Sequence, residues 1–190
     1  MKKLIILATA ALLAMSVSAQ KGSMYLGLTG IGNSEMGTGV IISSQGDYST
    51  TSWGLAPEFG YFVSDNLAIG AVVGIGGAAI KDNPGDNPFA FRLSPYGRYF
   101  LIQDSGFGFY LQGGIDFLSE SESVLGPKNS LFGIGINPGI SYNVGPFTAT
   151  AAFGWLGFQT YSEDGVDDNL NSFGLNVNMA SLKFGLSYNF

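Results

Sequence analysis

Two residue types are missing from this chain of 190 residues: it has no cysteine and no histidine. The first absence removes any disulfide framework, any thiolate nucleophile and the sulfur ligands of a zinc site. The second removes the commonest general base and the usual partner of a catalytic serine. Charge is scarce too, at 12% of residues, where a soluble domain carries about 25%. Beyond residue 19 there is no apolar run of the ~20 residues that a membrane-spanning helix needs. What the chain holds instead is glycine, 29 residues, and aromatic side chains, 14% of the total. So little charge beside so many aromatics predicts a large surface that does not face water.

The chain opens "MKKLIILATAALLAMSVSAQ". Lys2 and Lys3 form a basic start, Leu4 to Met15 an apolar stretch, and Val17 and Ala19 place small residues before a cut. This is the pattern of a secretory signal peptide, residues 1–19, cleaved between Ala19 and Gln20. The apolar stretch is too short for a comfortable membrane anchor, and a lipoprotein leader would need a cysteine. Residues 20–190 then form one domain, whose net charge falls from −6 to −8 once the two leader lysines are gone. An acidic exported domain is a poor partner for nucleic acid.

Period-2 alternation recurs along this domain. It covers 23–30, 51–62, 67–79, 89–101, 107–118, 130–143, 147–159 and 172–190, which makes eight predicted strands. Most reach the roughly 9–11 residues with which a tilted strand crosses a bilayer. The connections alternate in kind. "VSDN" (63–66), "QDSG" (103–106) and "VGP" (144–146) are tight turns, whereas residues 31–50, 80–88, 119–129 and 161–171 read as longer polar loops. Short turns at one end and long loops at the other characterise transmembrane β-barrels. The expected fold is therefore all-β, an eight-stranded antiparallel up-and-down transmembrane barrel.

One face of each strand is greasy. It carries Trp53, Leu55, Phe59 and Tyr61; Leu67, Ile69, Val73 and Ile75; Phe89 and Phe91; Phe107, Leu111, Ile115 and Phe117. It continues with Phe132, Ile134, Ile136 and Ile140, then Phe147, Ala149, Ala151, Phe153 and Trp155. The opposite face is small or polar. A soluble lipocalin-type barrel has the reverse polarity, and these polar positions are too few and too glycine-rich to coat an exterior. The inward charges are Glu58, Arg92, Arg98, Asp116 and Lys183. If "QDSG" closes the fourth and fifth strands, Arg92 falls near Asp116. Such charges either plug the lumen or gate a narrow pore. Inward glycines, among them Gly70 and Gly139, lie beside large inward residues such as Tyr96 and Tyr110, which is how a narrow barrel finds room. No complete nucleotide-binding glycine motif competes with that reading.

Pro57, Pro95 and Pro138 sit inside predicted strands, where proline cannot donate to the ladder and a bulge is the expected remedy. The last strand slips parity: Phe173, Leu175, Val177 and Met179 alternate outward, then Leu182, Phe184, Leu186, Tyr188 and Phe190. That predicts a bulge near Ala180 and Ser181.

With "PEFGYFVSDNLAIG", "SPYGRYF" and the terminal "KFGLSYNF", the chain resembles the small eight-stranded outer-membrane barrels, OmpA-like and OmpX-like, of Gram-negative-type bacteria. The resemblance covers about residues 23–190. It implies the cell outer membrane as location, outer-membrane lipid and lipopolysaccharide as surroundings, and no cofactor. It also implies that Phe184, Leu186, Tyr188 and Phe190 are read by the barrel-assembly machinery. The peptidoglycan-binding domain of some family members is not expected after Phe190. Enzymes on similar barrels lean on a histidine, so this chain is expected not to be one.

Ten of the fourteen acids fall in the long loops: Glu35, Asp47, Asp82, Asp86, Glu120, Glu122, Glu163, Asp164, Asp167 and Asp168. "SEDGVDDN" does not match the spacing of a calcium loop, and no metal site is expected. The function that follows is anchoring in the bilayer and display of acidic loops, for surface interaction or envelope integrity. The alternative is a narrow diffusion channel gated by the luminal charges.

Overall fold

The computed structural model describes residues 21–31, 37–45, 48–80, 87–121, 128–166, 168–176 and 182–190. Residues 1–19, the expected leader, therefore lie outside the described residues, as do Glu35, Asp47, Asp82, Asp86, Glu122 and Asp167. Twelve ladder segments appear among them: β1 (Met24–Ile31), β2 (Gly39–Gln45), β3 (Tyr48–Leu55), β4 (Pro57–Ser64), β5 (Leu67–Ile80) and β6 (Phe89–Asp104), then β7 (Phe107–Ser121), β8 (Lys128–Val144), β9 (Phe147–Ala152), β10 (Trp155–Glu163), β11 (Leu170–Asn176) and β12 (Lys183–Asn189). All pairings are antiparallel, and β1 pairs with both β4 and β12, so the wall closes. Taken end to end, β1 with β2, β3 with β4, β9 with β10, and β11 with β12 each make one interrupted strand. With β5, β6, β7 and β8 they give an eight-stranded antiparallel barrel.

The three predicted turns join these strands at one end. Ser105 and Gly106 both take positive φ, 49° and 86°, the backbone of a type I′ hairpin turn. Gly145, at φ 59°, turns β8 into β9. Lys21, the first described residue, lies at the same end, where its amide donates to Asp65 Oδ1.

Alternation sorts the side chains as the pattern requires. In β6, Phe89, Phe91, Leu93, Tyr99 and Leu101 are exposed, while Tyr96, Arg98 and Phe100 are buried. Across the wall Phe59, Ile69, Ile134 and Phe147 are likewise exposed. An apolar belt around a polar interior is the surface of a protein that meets hydrocarbon.

Four expectations need correction. The stretch 31–50 is not simply a loop: β2 pairs with β3 from Gly39 opposite Gly54 to Gln45 opposite Tyr48. Val40, Ile41, Ile42, Thr50 and Thr51 favour a pleated strand, but the serines, glycines and Gln45 among them hide the alternation. At Pro57 and Pro95 the register runs straight through without a bulge. Leu93 faces Phe117 and Tyr96 faces Gly114, so the β6–β7 ladder simply lacks pairs between them. Likewise Leu55 faces Ile75 and Glu58 faces Val72. At Pro138 the irregularity lies in the neighbouring strand, between β9 and β10, where Gly154 takes φ 70°. Its edges are tied by Phe153 N–H to Pro138 O and by Asn137 Nδ2 to Gly154 O at 2.6 Å.

That one-residue insertion reverses the parity of β10. Trp155, expected outside, therefore turns into the lumen and lies against Gly135, while Leu156 and Phe158 take the lipid face. The parity slip in the last strand is present, since Phe173 and Leu175 are exposed, and so are Phe184 and Leu186. Residues 180–181, where a bulge was expected, lie outside the described residues.

Inward glycines make the lumen wide enough for rings. Tyr25 faces Gly60, Tyr96 faces Gly70 and Tyr110 faces Gly139 across their ladders, and each ring occupies the space where that glycine would carry a Cβ. At Gly70 a Cβ would stand 2.6 Å from Tyr96 Cζ. Gly97 is the contrast: it points outward with nothing within 4 Å. Gly70→Ala should lower stability to urea by about 1–3 kcal/mol through overpacking. Gly97→Ala should leave it unchanged or slightly raised. Urea titration of both refolded variants checks the pair.

Candidate functional site: a caged arginine in the lumen

The candidate site sits where β4, β6, β7 and β1 turn their polar residues inward. Alternation from Pro95 places Tyr96 and Arg98 on the inner face of β6, with Glu58 on β4 and Gln112 on β7. Arg98 and Glu58 are the most deeply placed charges, their side chains 7% and 4% exposed. Arg98 Nη2 donates to Glu58 Oε1 at 2.7 Å and to Gln112 Oε1 at 2.7 Å, and Nε donates to the same amide oxygen at 3.0 Å. Tyr96 donates its hydroxyl proton to Glu58. Tyr96 has one proton to give, so the 2.7 Å bond between Tyr25 and Tyr96 runs from Tyr25.

Three rings close around the guanidinium. Its central carbon lies 4.7 Å from the Tyr110 centroid, 5.1 Å from Tyr96 and 5.7 Å from Tyr25. An arginine shielded from water in this way gains from both ion pair and ring quadrupoles. A ladder of rings, Tyr25, Phe62, Phe100 and Tyr110, continues the packing toward the turns with centroid spacings of 5.6–5.7 Å.

A second pair lies toward the loops. Arg92 Nε donates to Asp116 Oδ1 at 2.7 Å, Nη2 binds Oδ2, and Ser94 donates to Oδ1 at 2.6 Å. Side-chain exposures of 19% and 34% make this pair wetter than the first. Lys183 enters the same region from β12, within electrostatic reach of Arg92 and Asp116. The five inward charges thus divide into one sealed pair, one half-wet pair and a lysine.

Two cavities flank the Arg98 layer. One of about 410 Å³ opens toward the turns, lined by Ser141, Asn143, Thr148, Ser187 and Asn189 among others. One of about 110 Å³ lies toward the loops, with Arg92, Asp116, Trp155 and Lys183 in its wall. Arg98 lines both, and is the residue they share. The layer around it forms a septum. The two inward carboxylates, Glu58 in this layer and Asp116 in the chamber toward the loops, are each held by an arginine.

Sequence reasoning found the charges but missed the cage. Tyr96 and Tyr110 were legible as inward by parity. Tyr25 went unassigned although Met24, Leu26 and Leu28 alternate outward around it, and Trp155 was expected outside because nothing marked the inserted residue. Phe184, Leu186 and Phe190 lie exposed on the outer face of the closing strand, and Tyr188 packs edge-on to Phe147 at 5.4 Å.

No family model matches the chain, and no curated protein does. Among solved structures it is similar to the N-terminal β-barrel domain of Pseudomonas aeruginosa OprF, at 13% identity over 90% of this chain and 98% of that one, with a TM-score of 0.47. It is also similar to Neisserial surface protein A (NspA), at 15% identity over 88% of this chain and 96% of that one, with a TM-score of 0.48.

Breaking the sealed pair leaves a buried unpaired charge, so Glu58→Ala should cost about 3–5 kcal/mol. Asp116→Ala should also destabilise, by about 1–2 kcal/mol, because water screens the half-wet pair. Urea unfolding of the two refolded variants tests the ranking, and an Asp116→Ala barrel as stable as wild type would remove the energetic role of that pair.

Proposed function

We propose that this chain is an outer-membrane β-barrel of a Gram-negative-type bacterium that anchors in the bilayer and displays acidic loops at the cell surface. Residues 1–19 would export it, and Phe184, Leu186, Tyr188 and Phe190 would present its closing strand to the barrel-assembly machinery. The observation that carries this reading is the septum. A lumen interrupted by Arg98, Glu58 and three tyrosines favours a barrel that works from its ends over one that works through its interior. At the loop end Glu163, Asp164 and Asp168 are all exposed, and a negative rim there suits divalent cations bridging surface lipopolysaccharide, or a cell-surface partner.

A second reading, the narrow channel, has one observation in its favour: the two chambers are separated by a single layer. Planar-bilayer recording distinguishes the readings. The folded wild-type barrel should give no discrete conductance steps. Steps that change when Arg98 is replaced by Gln would instead establish the channel. For the loops, Glu163→Gln, Asp164→Asn and Asp168→Asn together should reduce binding to lipopolysaccharide vesicles in calcium, and a chelator should have the same effect. Binding that survives both treatments counts against cation bridging.

A further inference from the structure

The luminal charges do not balance, and the imbalance is local. Among the described residues, Glu58 is neutralised by Arg98 and Asp116 by Arg92. Both oxygens of Asp116 are engaged by Arg92, and Ser94 adds a further donor. Lys183 makes no ion pair with a described residue. Its electrostatic neighbours are Asp116, already paired, and Arg92, which repels it. Among the described residues, the loop-side chamber therefore carries one surplus positive charge. Lys183 is more deeply enclosed than the half-wet pair beside it, and an enclosed charge is costly unless a counter-charge joins it.

The chamber wall adds one further donor. Trp155 offers an indole N–H, which can donate and cannot accept, and it lines the cavity with Lys183, Arg92 and the arginine-bound carboxylate of Asp116. The volume of about 110 Å³ is far below the roughly 300–1,000 Å³ of pockets for drug-sized ligands. It leaves room for a group of a few atoms. We infer that the loop-side chamber is a binding site for one small oxyanion of phosphate size, held by Lys183 with Arg92 and the Trp155 N–H around it.

The two tryptophans make the test direct. Trp155 lines the chamber, whereas Trp53 is exposed on the outer face. The refolded mature barrel in zwitterionic micelles is titrated with sodium phosphate against sodium chloride at constant ionic strength, and the two indole N–H resonances are followed by NMR. Phosphate should move the Trp155 resonance along a saturable curve and leave that of Trp53 in place. Lys183→Met should weaken the apparent affinity by at least about tenfold, the scale of one lost charge contact, while Lys183→Arg should stay within a few-fold of wild type. A Trp155 resonance that does not saturate with phosphate, or that behaves identically in wild type and a folded Lys183→Met barrel, overturns the assignment. Should Lys183→Met not fold, the wild-type titration still decides, because the absence of a saturable Trp155 shift is sufficient to reject the site.

Discussion

The structure is organised around a guanidinium that must be kept from both lipid and water. Arg98 cannot face hydrocarbon, and a charge enclosed in a barrel needs its partner at fixed distance. Glu58 supplies the partner from across β5, Gln112 from β7, and the tyrosine rings exclude water from the remaining sides. Each of those rings needs space that an eight-stranded wall does not have. The glycines opposite them provide it. The glycine content, the inward tyrosines and the scarcity of charge are thus one solution to one constraint.

Much of this was legible beforehand because the physical period of a strand is short and strict. β6 is the best case: thirteen residues alternate without a fault, and every side chain points where parity sends it. The failures have a common cause. Parity propagates only until a residue is inserted, and nothing in "TATAAFGWLG" marks the insertion that turns Trp155 inward. A glycine at positive φ permits such a bulge without requiring it, and glycine is too common here to be informative. The prolines misled in the opposite direction. A missing donor invites a bulge, but at Pro57 and Pro95 the ladder tolerates a gap and keeps its register, because the pairs on either side already fix it.

The charge network was only half visible for a related reason. Sequence separates inward from outward, but not wet from dry along the axis of the barrel. Glu58 and Asp116 look alike as inward acids, yet one is sealed by three rings and the other is partly open. Depth depends on the tilt and stagger of the wall, which no single strand records.

The closing ladder has a consequence for how the molecule is made. Most neighbours in the wall are joined by short connections, such as the Ser105–Gly106 turn, whereas β1 and β12 bring Tyr25 against Asn189. Contacts between such distant residues form late, after the local hairpins. Until they form, β1 and β12 each offer an unpaired edge, and the inner face of the sheet offers Arg98. Hydrocarbon accepts neither. The sheet therefore cannot enter the bilayer open and close afterwards. Insertion and closure are therefore coupled through the β1–β12 ladder.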